Sequence, residues 1–363
     1  MPQQTDSETE GSTNPDEPAT GSPWTHVLHW ACYSTAWTVT VLLLAVAALR
    51  IFAHDSANFL IWLNAFSAYL YLPVYFCLIW ALWQKKKWLI LACCTIIAFH
   101  LVWMKPDFMR DGRFDMPPEI ASRAEPSQVV RIFFANVSRF NPEHDAMLEE
   151  IANTNPDVIL LAEYSRPWYE AFRASPIMAP YIYGTGMLRA HPGSVGVFSK
   201  IPIESEKLEW VESRGEDTSV FRLGESTFSI VGLHAPRPIN FPSQDYESYW
   251  KHTLPKLRNM AGPTVIIGDF NATQHSDVYR QLKESRYRSA HEDRGRGYAT
   301  TWPNGEGLFP PIRIDQAFLS PEIECLDIAE GGGKGSDHKP LILDLRIRDK
   351  DAKSFTTGAS TGS

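Results

Sequence analysis

Two kinds of hydrophobic pattern divide the chain. After a polar opening from Met1 to Pro23, unbroken apolar stretches run from Thr35 to Phe52 (TAWTVTVLLLAVAALRIF), from Asn58 to Trp83 and from Trp88 to Met104. Each is close to or above the roughly 17–25 residues that cross the hydrocarbon layer of a bilayer, and none carries a charge in its middle. The pattern predicts three transmembrane helices, with Trp30, Trp83, Trp88 and Trp103 as interfacial belts and Pro73 as a kink in the second. Buried core helices are the competing reading, and the Trp-rich ends disfavour it. A cleaved signal peptide is disfavoured too, because an acidic tail precedes the first stretch and two more stretches follow it.

Beyond a Pro-containing linker the apolar runs become short and β-branched or aromatic, separated by polar helical stretches and turns, the pattern of an α/β domain. The expected units are a disordered acidic tail (1–26), a membrane domain of three helices (27–106), a linker (107–127), a catalytic α/β domain (128–348) and a disordered tail (349–363).

The ends of the short runs carry the chemistry. VVRIFFA ends at Asn136, DVILLA at Glu163, FSIVGL at His234 and TVIIG at Asp269; Asp315 follows in RIDQAFL and Asp337-His338 in GSDHKPLIL. Strands that deliver polar side chains at their carboxyl ends build a site along one edge of a sheet. A lone GDFN would read as a turn and a lone His as a solvated side chain. In an extended GDFN segment, however, Asp269 and Asn271 share one pocket while Phe270 faces the core. Adjacent Asp337 and His338 point apart, which implies separate tasks. The candidate ligands are carboxylate and amide oxygens with no Cys cluster and no His pair at zinc spacing, so Mg²⁺, with Mn²⁺ as the alternative, fits better than Zn²⁺. Arg237 and Lys339 are candidate phosphate contacts.

Charge and cysteine narrow the picture a little. In 363 residues, 34 Lys and Arg face 42 Asp and Glu, a net charge of −8 that advertises no basic groove for nucleic acid. With 44% hydrophobic and 21% charged residues, the chain is neither a disordered polymer nor a small disulfide scaffold. Of the five cysteines only Cys325 lies in the C-terminal part, so no internal disulfide forms there. The dense basic loop Lys85-Lys86-Lys87 falls in the cytoplasm by the positive-inside rule, which sends everything after Met104 outside. Lys105, Arg110, Arg113 and Arg123 oppose this weakly, interleaved with Asp107, Asp111 and Asp115.

These blocks, in this order over roughly Val129 to Arg348, resemble the endonuclease/exonuclease/phosphatase superfamily of metal-dependent phosphoesterases. The resemblance implies a four-layer α/β sandwich, two packed mixed β-sheets flanked by helices. It implies Glu163 as principal metal ligand, with Asn136 beside it and Asp337 as a further carboxylate of the metal shell. Asp269 would orient or deprotonate the attacking water, Asn271 steady it, and His338, held by Asp315, act as the transition-state or leaving-group partner. His234 would contact phosphate, and Trp302 would form a wall. The first block, Asn136-Val-Ser-Arg-Phe-Asn141, and the second, Ala162-Glu163-Tyr164, depart from the repair nucleases' pattern, and Gly-Leu-His234-Ala-Pro carries a histidine that branch typically lacks. DNA repair is therefore disfavoured.

The sequence thus predicts a membrane-anchored, Mg²⁺-dependent phosphoesterase in the plasma or inner membrane with an extracytoplasmic catalytic domain. Its expected partners are the bilayer and a phosphate ester, whether lipid headgroup, nucleotide or nucleic acid, and no protein partner is evident. The competing readings are a non-catalytic membrane sensor of phosphate or lipid headgroups and an extracytoplasmic nuclease.

Overall fold

The computed structural model describes residues 23–110, 129–184, 193–211, 213–238, 244–305 and 307–347. The C-terminal tail and most of the N-terminal tail and of the linker fall outside them.

Two helices, α1 (Pro23–Phe52) and α5 (Lys87–Phe108), are long and apolar enough to cross a membrane. The expected second span is bent. It comprises α2 (Asn58–Ala65), the single turn α3 (Ser67–Leu70) and α4 (Pro73–Trp83), with a 69° bend between Ala65 and Ser67. The bend therefore falls at Phe66 rather than at the predicted Pro73. Phe66 leaves helical geometry (φ −96°, ψ 18°), whereas Pro73 opens a helix, where its missing N–H costs nothing. The last turn of α5 runs past the expected boundary at 106, and its Asp107 pairs with the buried Arg313 at 3.2 Å.

The rest is two mixed sheets packed face to face. One has the order β10-β11-β1-β2-β3 and the other β4-β5-β6-β7-β9-β8. The first joins β1 (Val129–Asn136), β2 (Val158–Ala162), β3 (Val195–Ser199), β10 (Ile323–Glu330) and β11 (Leu341–Ile347). The second joins β4 (Ile203–Val211), β5 (Arg214–Leu223), β6 (Ser226–His234), β7 (Thr264–Asp269), β8 (Arg288–Ser289) and β9 (Asp315–Leu319). Pairs β1–β2 and β6–β7 are parallel, the other pairs antiparallel.

Val130, Ile132, Phe134, Leu160, Ile230, Val265 and Ile267 meet between the sheets, each essentially inaccessible to solvent. Burying a side chain of this kind contributes about 1.5–3 kcal/mol, so this layer dominates the stability of the fold. Alternate residues of β1, Phe133 and Ala135, face outward under α6 (His144–Thr154) and α7 (Arg166–Ala174). Helix α6 buries Met147, Leu148 and Ile151, one stripe at helical spacing, and ends at Asn155 in the left-handed conformation that closes helices. The second sheet is covered by α8 (Gln244–Arg258) and α9 (Asp277–Lys283), the latter capped by Ser276 accepting from the Tyr279 amide. The order helix, sheet, sheet, helix is the four-layer sandwich the sequence predicts.

The helical region is docked onto this sandwich at one end. Arg50 reaches His275 Nδ1 at 3.2 Å, Tyr69 donates to the Pro311 carbonyl at 2.7 Å, and Asp55 accepts from the Asp277 amide at 2.6 Å. Ile61 of α2 joins the apolar cluster of Val231, Leu233 and Phe270.

Candidate active site

Strand register assembles the site. In the second sheet His234 lies opposite Asp269, and Asp269 opposite Asp315, so three neighbouring strands put a polar residue at the same level. In the first sheet Asn136 pairs with Ala162, one residue before Glu163. The chain then turns sharply. Ser138, Glu163 and Asn271 all have left-handed backbones (φ 53°, 54° and 47°), a conformation uncommon for non-glycine residues and concentrated at functional sites.

Asp269 is the centre. Its Oδ2 accepts from Asn136 Nδ2 at 3.1 Å, so the two sheets meet in one hydrogen bond, and its Oδ1 accepts from the Asn271 amide at 2.9 Å. Phe270 is in the core, as the alternation predicts, while Asn271 donates its Nδ2 to the Ala235 carbonyl at 2.9 Å. His338 Nδ1 is 2.9 Å from Asp315 Oδ2, and its Nε2 faces Asp269 Oδ2 at 3.8 Å. His234 Nε2 sits between two carboxylates, 3.8 Å from Asp269 Oδ2 and 3.9 Å from Glu163 Oε1.

Burial and charge set the protonation states. Burial alone pushes the His338 imidazole down, but the Asp315 and Asp269 carboxylates outweigh it and hold the group up, at about 9. The Asp269 carboxyl is pushed up by burial, pulled down by the charge on His338 and raised again by Asp315, ending at about 6. Near neutral pH this gives an imidazolium facing an ionised Asp269.

Two openings of opposite character lie at the site, one reaching His234 and Glu163 and the other His338 and Asn271. A polar cleft of about 610 Å³ is lined by Glu163, His234, Arg214, Arg237, Arg139 and Asp337 among others. An apolar recess of about 60 Å³ is lined by Ile61, Trp62, Ala65, Pro238, Ile312 and Ile314, with Trp302, Asn271, His338 and Arg237 completing it. Asp337 and His338 thus diverge: Asp337 is exposed on the cleft and accepts from Trp302 Nε1 at 3.2 Å, while His338 is buried. Arg237 Nη2 lies 3.3 Å from Glu163 Oε1 and belongs to both openings. The Lys339 amide donates to the Thr301 carbonyl at 2.8 Å, and its side chain lines neither opening.

The loop carrying Asp337 and His338 is held by a few polar groups. Asn304 Nδ2 reaches the carbonyls of Gly332, Gly333 and Ser336 at 2.8, 3.0 and 3.2 Å. Ser336 Oγ donates to the Asn136 carbonyl at 2.7 Å and accepts from the His338 amide at 3.0 Å. Thr301 Oγ1 accepts from the Ile314 and Asp315 amides, both at 3.1 Å. Gly333 (φ 57°) must be small, since a Cβ there would meet the His338 carbonyl oxygen at 2.3 Å.

A cation can be tested against these residues. Among the described residues, Asp269, Asp315 and His338 have ligand atoms within 4.8 Å of one another. There a charged imidazole already sits between the carboxylates, so a metal ion would compete with its proton. The cleft offers Glu163, whose side chain is 14% exposed, and the exposed Asp337, with the Asn136 amide buried behind them against Asp269 and Ser138; these carboxylate and amide oxygens are the donor type a hard divalent cation takes.

Sequence reasoning missed Arg214 and the recess wall. Arg214 Nη1 lies 3.0 Å from His234 Nδ1 and 3.3 Å from Nε2, against the imidazole, and burial lowers its guanidinium below the usual range although Asp269 and Glu163 counteract this. It opens β5 with no motif around it. Ile61, Trp62 and Ala65 read as part of a membrane span, and only the bend at Phe66 turns them to the site.

Comparisons with known proteins agree with this architecture. The profile of the endonuclease/exonuclease/phosphatase family matches residues 132–338. Humanized D. rerio TDP2 superposes with a TM-score of 0.51 at 14% identity, over 61% of this chain and 100% of that one. D. rerio TDP2 complexed with single-strand DNA product gives 0.51 at 15% identity, over 60% and 99%. A Bacteroides thetaiotaomicron mannosyl-6-phosphatase gives 0.46 at 16% identity, over 60% and 100%. No curated protein matches the chain.

Proposed function

Because the chain belongs to the endonuclease/exonuclease/phosphatase family, whose members hydrolyse phosphoester bonds, we propose that it is a membrane-anchored, divalent-metal-dependent phosphoesterase. The observation that carries this reading is the level row His234–Asp269–Asp315 across β6, β7 and β9, closed by His338 and facing Glu163.

In the proposed reaction one water attacks phosphorus, the P–O bond to the leaving group breaks, the departing alkoxide takes a proton from solvent while Asp269 returns one to it, and an alcohol and a phosphate result. Asp269, ionised above about pH 6, orients the water and takes its proton, with Asn136 and the Asn271 amide fixing the carboxylate. His338 lies only 3.8 Å from Asp269, hence on the same side of phosphorus, and in an in-line displacement the leaving oxygen departs from the opposite side. The protonated imidazole therefore stabilises charge on a phosphoryl oxygen and does not serve as leaving-group acid. Asp315 keeps it charged and aimed. His234, backed by Arg214, and Arg237 hold the remaining phosphoryl oxygens. Glu163, with Asn136 and Asp337, would hold the divalent cation, Mg²⁺ or Mn²⁺, which when bound neutralises phosphate charge and lowers the pKa of water.

Helices α1 and α5 and the bent α2–α4 segment are the proposed anchor, with the catalytic domain extracytoplasmic. In support, Phe52, Pro73 and Phe108 end or begin their helices beside the sandwich, while Lys85-Lys86-Lys87 lies at the far end of α4. A reporter fused at the C-terminus that is active only in the cytoplasm would overturn this orientation.

The test is hydrolysis by the full chain in detergent, with and without chelator. Turnover of a phosphate ester that chelator abolishes and Mg²⁺ or Mn²⁺ restores is expected. Binding of phosphate esters without turnover would favour a sensor instead.

A further inference from the structure

A phosphoesterase of soluble esters needs a polar cleft, and this site has a second opening that such a substrate leaves unused. The recess beside His338 and Asn271 is walled by Ile61, Trp62 and Ala65 of α2, Pro238, and Ile312 and Ile314 of the sandwich. Three of its walls thus come from the helical region. Helix α2 turns Ile61 and Ala65, four residues apart, to the recess, while Phe59, Trp62 and the capping Phe66 follow one another at helical spacing beside them, with Trp62 belonging to both rows.

That second row is an aromatic ledge. Trp62 stacks on Phe66 with ring centroids 5.9 Å apart, and Phe309 closes on both, at 6.4 Å from Trp62 and 6.1 Å from Phe66. Phe309 also stacks on Trp302, at 6.1 Å, so the ledge runs without a break to the recess. Phe59 and Phe309 are more than half exposed, and Leu308 stands fully in solvent. Such a run of exposed apolar side chains is unfavourable in water, and it lies between the ends of α1 and α4, where the proposed spans meet the sandwich.

We infer that the substrate is a membrane lipid carrying a phosphodiester. Its phosphate lies at Asp269 and His338, its polar headgroup in the 610 Å³ cleft and its apolar part in the recess and along the Trp62–Phe66–Phe309 ledge. This rests on the phosphoesterase reading and extends it. The argument is one of matched character: one opening is charged and roomy, the other apolar and narrow, and a single guanidinium, Arg237, borders both. A monoester of a sugar or nucleotide has nothing for the recess. A nucleic acid would use the ledge only for base stacking, and beyond the three arginines of the cleft it meets a chain whose net charge is −8.

The experiment uses the full chain in detergent or reconstituted in nanodiscs. Substrates are mixed vesicles of dioleoyl phosphatidylcholine, phosphatidylethanolamine and phosphatidylglycerol, a single-stranded oligonucleotide, and soluble bis(p-nitrophenyl) phosphate. Chelator-sensitive release of lipid product is expected, and that product identifies which of the two ester bonds breaks. Trp62→Ser should lower kcat/KM for vesicle lipid about tenfold more than for the soluble ester, the worth of a few lost apolar contacts, and Trp62→Phe should restore it. Phe309→Ser, a change at an exposed position, repeats the test without touching the core. Chelator-sensitive turnover of soluble ester or oligonucleotide but of no lipid would overturn the lipid assignment alone. So would equal losses on both substrates in Trp62→Ser and Phe309→Ser. Turnover of no substrate by folded protein would overturn the phosphoesterase reading with it.

Discussion

The cleft and the recess share Arg237 as a border, yet different kinds of chain build them. The cleft comes from strand ends: Glu163 follows β2, His234 ends β6 and Arg214 opens β5. The recess comes from a bent helix and the Ile312–Ile314 segment, which meet only through tertiary packing. Chemistry is thus carried by the sheet, where register fixes positions to within a hydrogen bond, and the apolar side of the site is carried by a helix of the N-terminal apolar region.

Changes on the cleft side and at the centre should remove turnover, whereas changes on the recess side should redistribute it among substrates. The largest effect is expected from Asp269→Asn and His338→Ala, each lowering kcat/KM by about 10³-fold or more with the thermal transition retained. Turnover unchanged in either variant would mean that the centre has been misassigned. Chelation should be comparably severe, and readdition of Mg²⁺ or Mn²⁺ should reverse it, read in the same assay. Arg214→Ala comes next, at about 10–100-fold, because it withdraws a half-buried guanidinium from His234 while leaving the centre intact. If it behaved like wild type on every substrate, Arg214 would be a packing residue only.

The pH dependence sharpens the same contrast. The rate should fall below about 6, as Asp269 takes a proton, and above about 9, as His338 loses one. Stability of the metal-free protein should follow the sign of the raised imidazole. In the unfolded chain a histidine titrates near 6.5, so the stabilisation from His338 is complete below that value and is lost as pH rises through about 9. Chemical denaturation across that window should show the decline in wild type and not in His338→Ala. Equal declines would mean that the ion pair with Asp315 is not what holds the imidazole.

Much of the sandwich was legible because its signals are local. Hydrophobic runs of strand length, each closing on a polar residue, foretell where Asn136, Glu163, His234 and Asp269 lie, since a strand's last side chain emerges at the sheet edge whatever the rest of the fold does. Arg214 was not legible: its partner His234 is twenty residues away and two strands meet only after pairing. The recess wall was hidden for another reason. Residues Asn58 to Trp83 satisfy every local criterion of a span, and Pro73 is the stronger local signal for a bend than Phe66. Long-range contacts flank the break at Phe66, which no local signal carries: Arg50 holds Ser67, and Asp55 holds both Asn64 and the Asp277 amide.

The level row of His234, Asp269 and Asp315 bears on how the protein can fail. Because side chains alternate along a strand, a slip of one residue in β7 would exchange Asp269 for Gly268 or Phe270, and no partial slip preserves the row. These strands lie at the most protected level of the fold, with Val265, Ile266, Ile267, Ala317, Phe318 and Leu319 all sealed from solvent. Heat inactivation should therefore coincide with cooperative melting rather than precede it, leaving no long-lived population that is folded but inert.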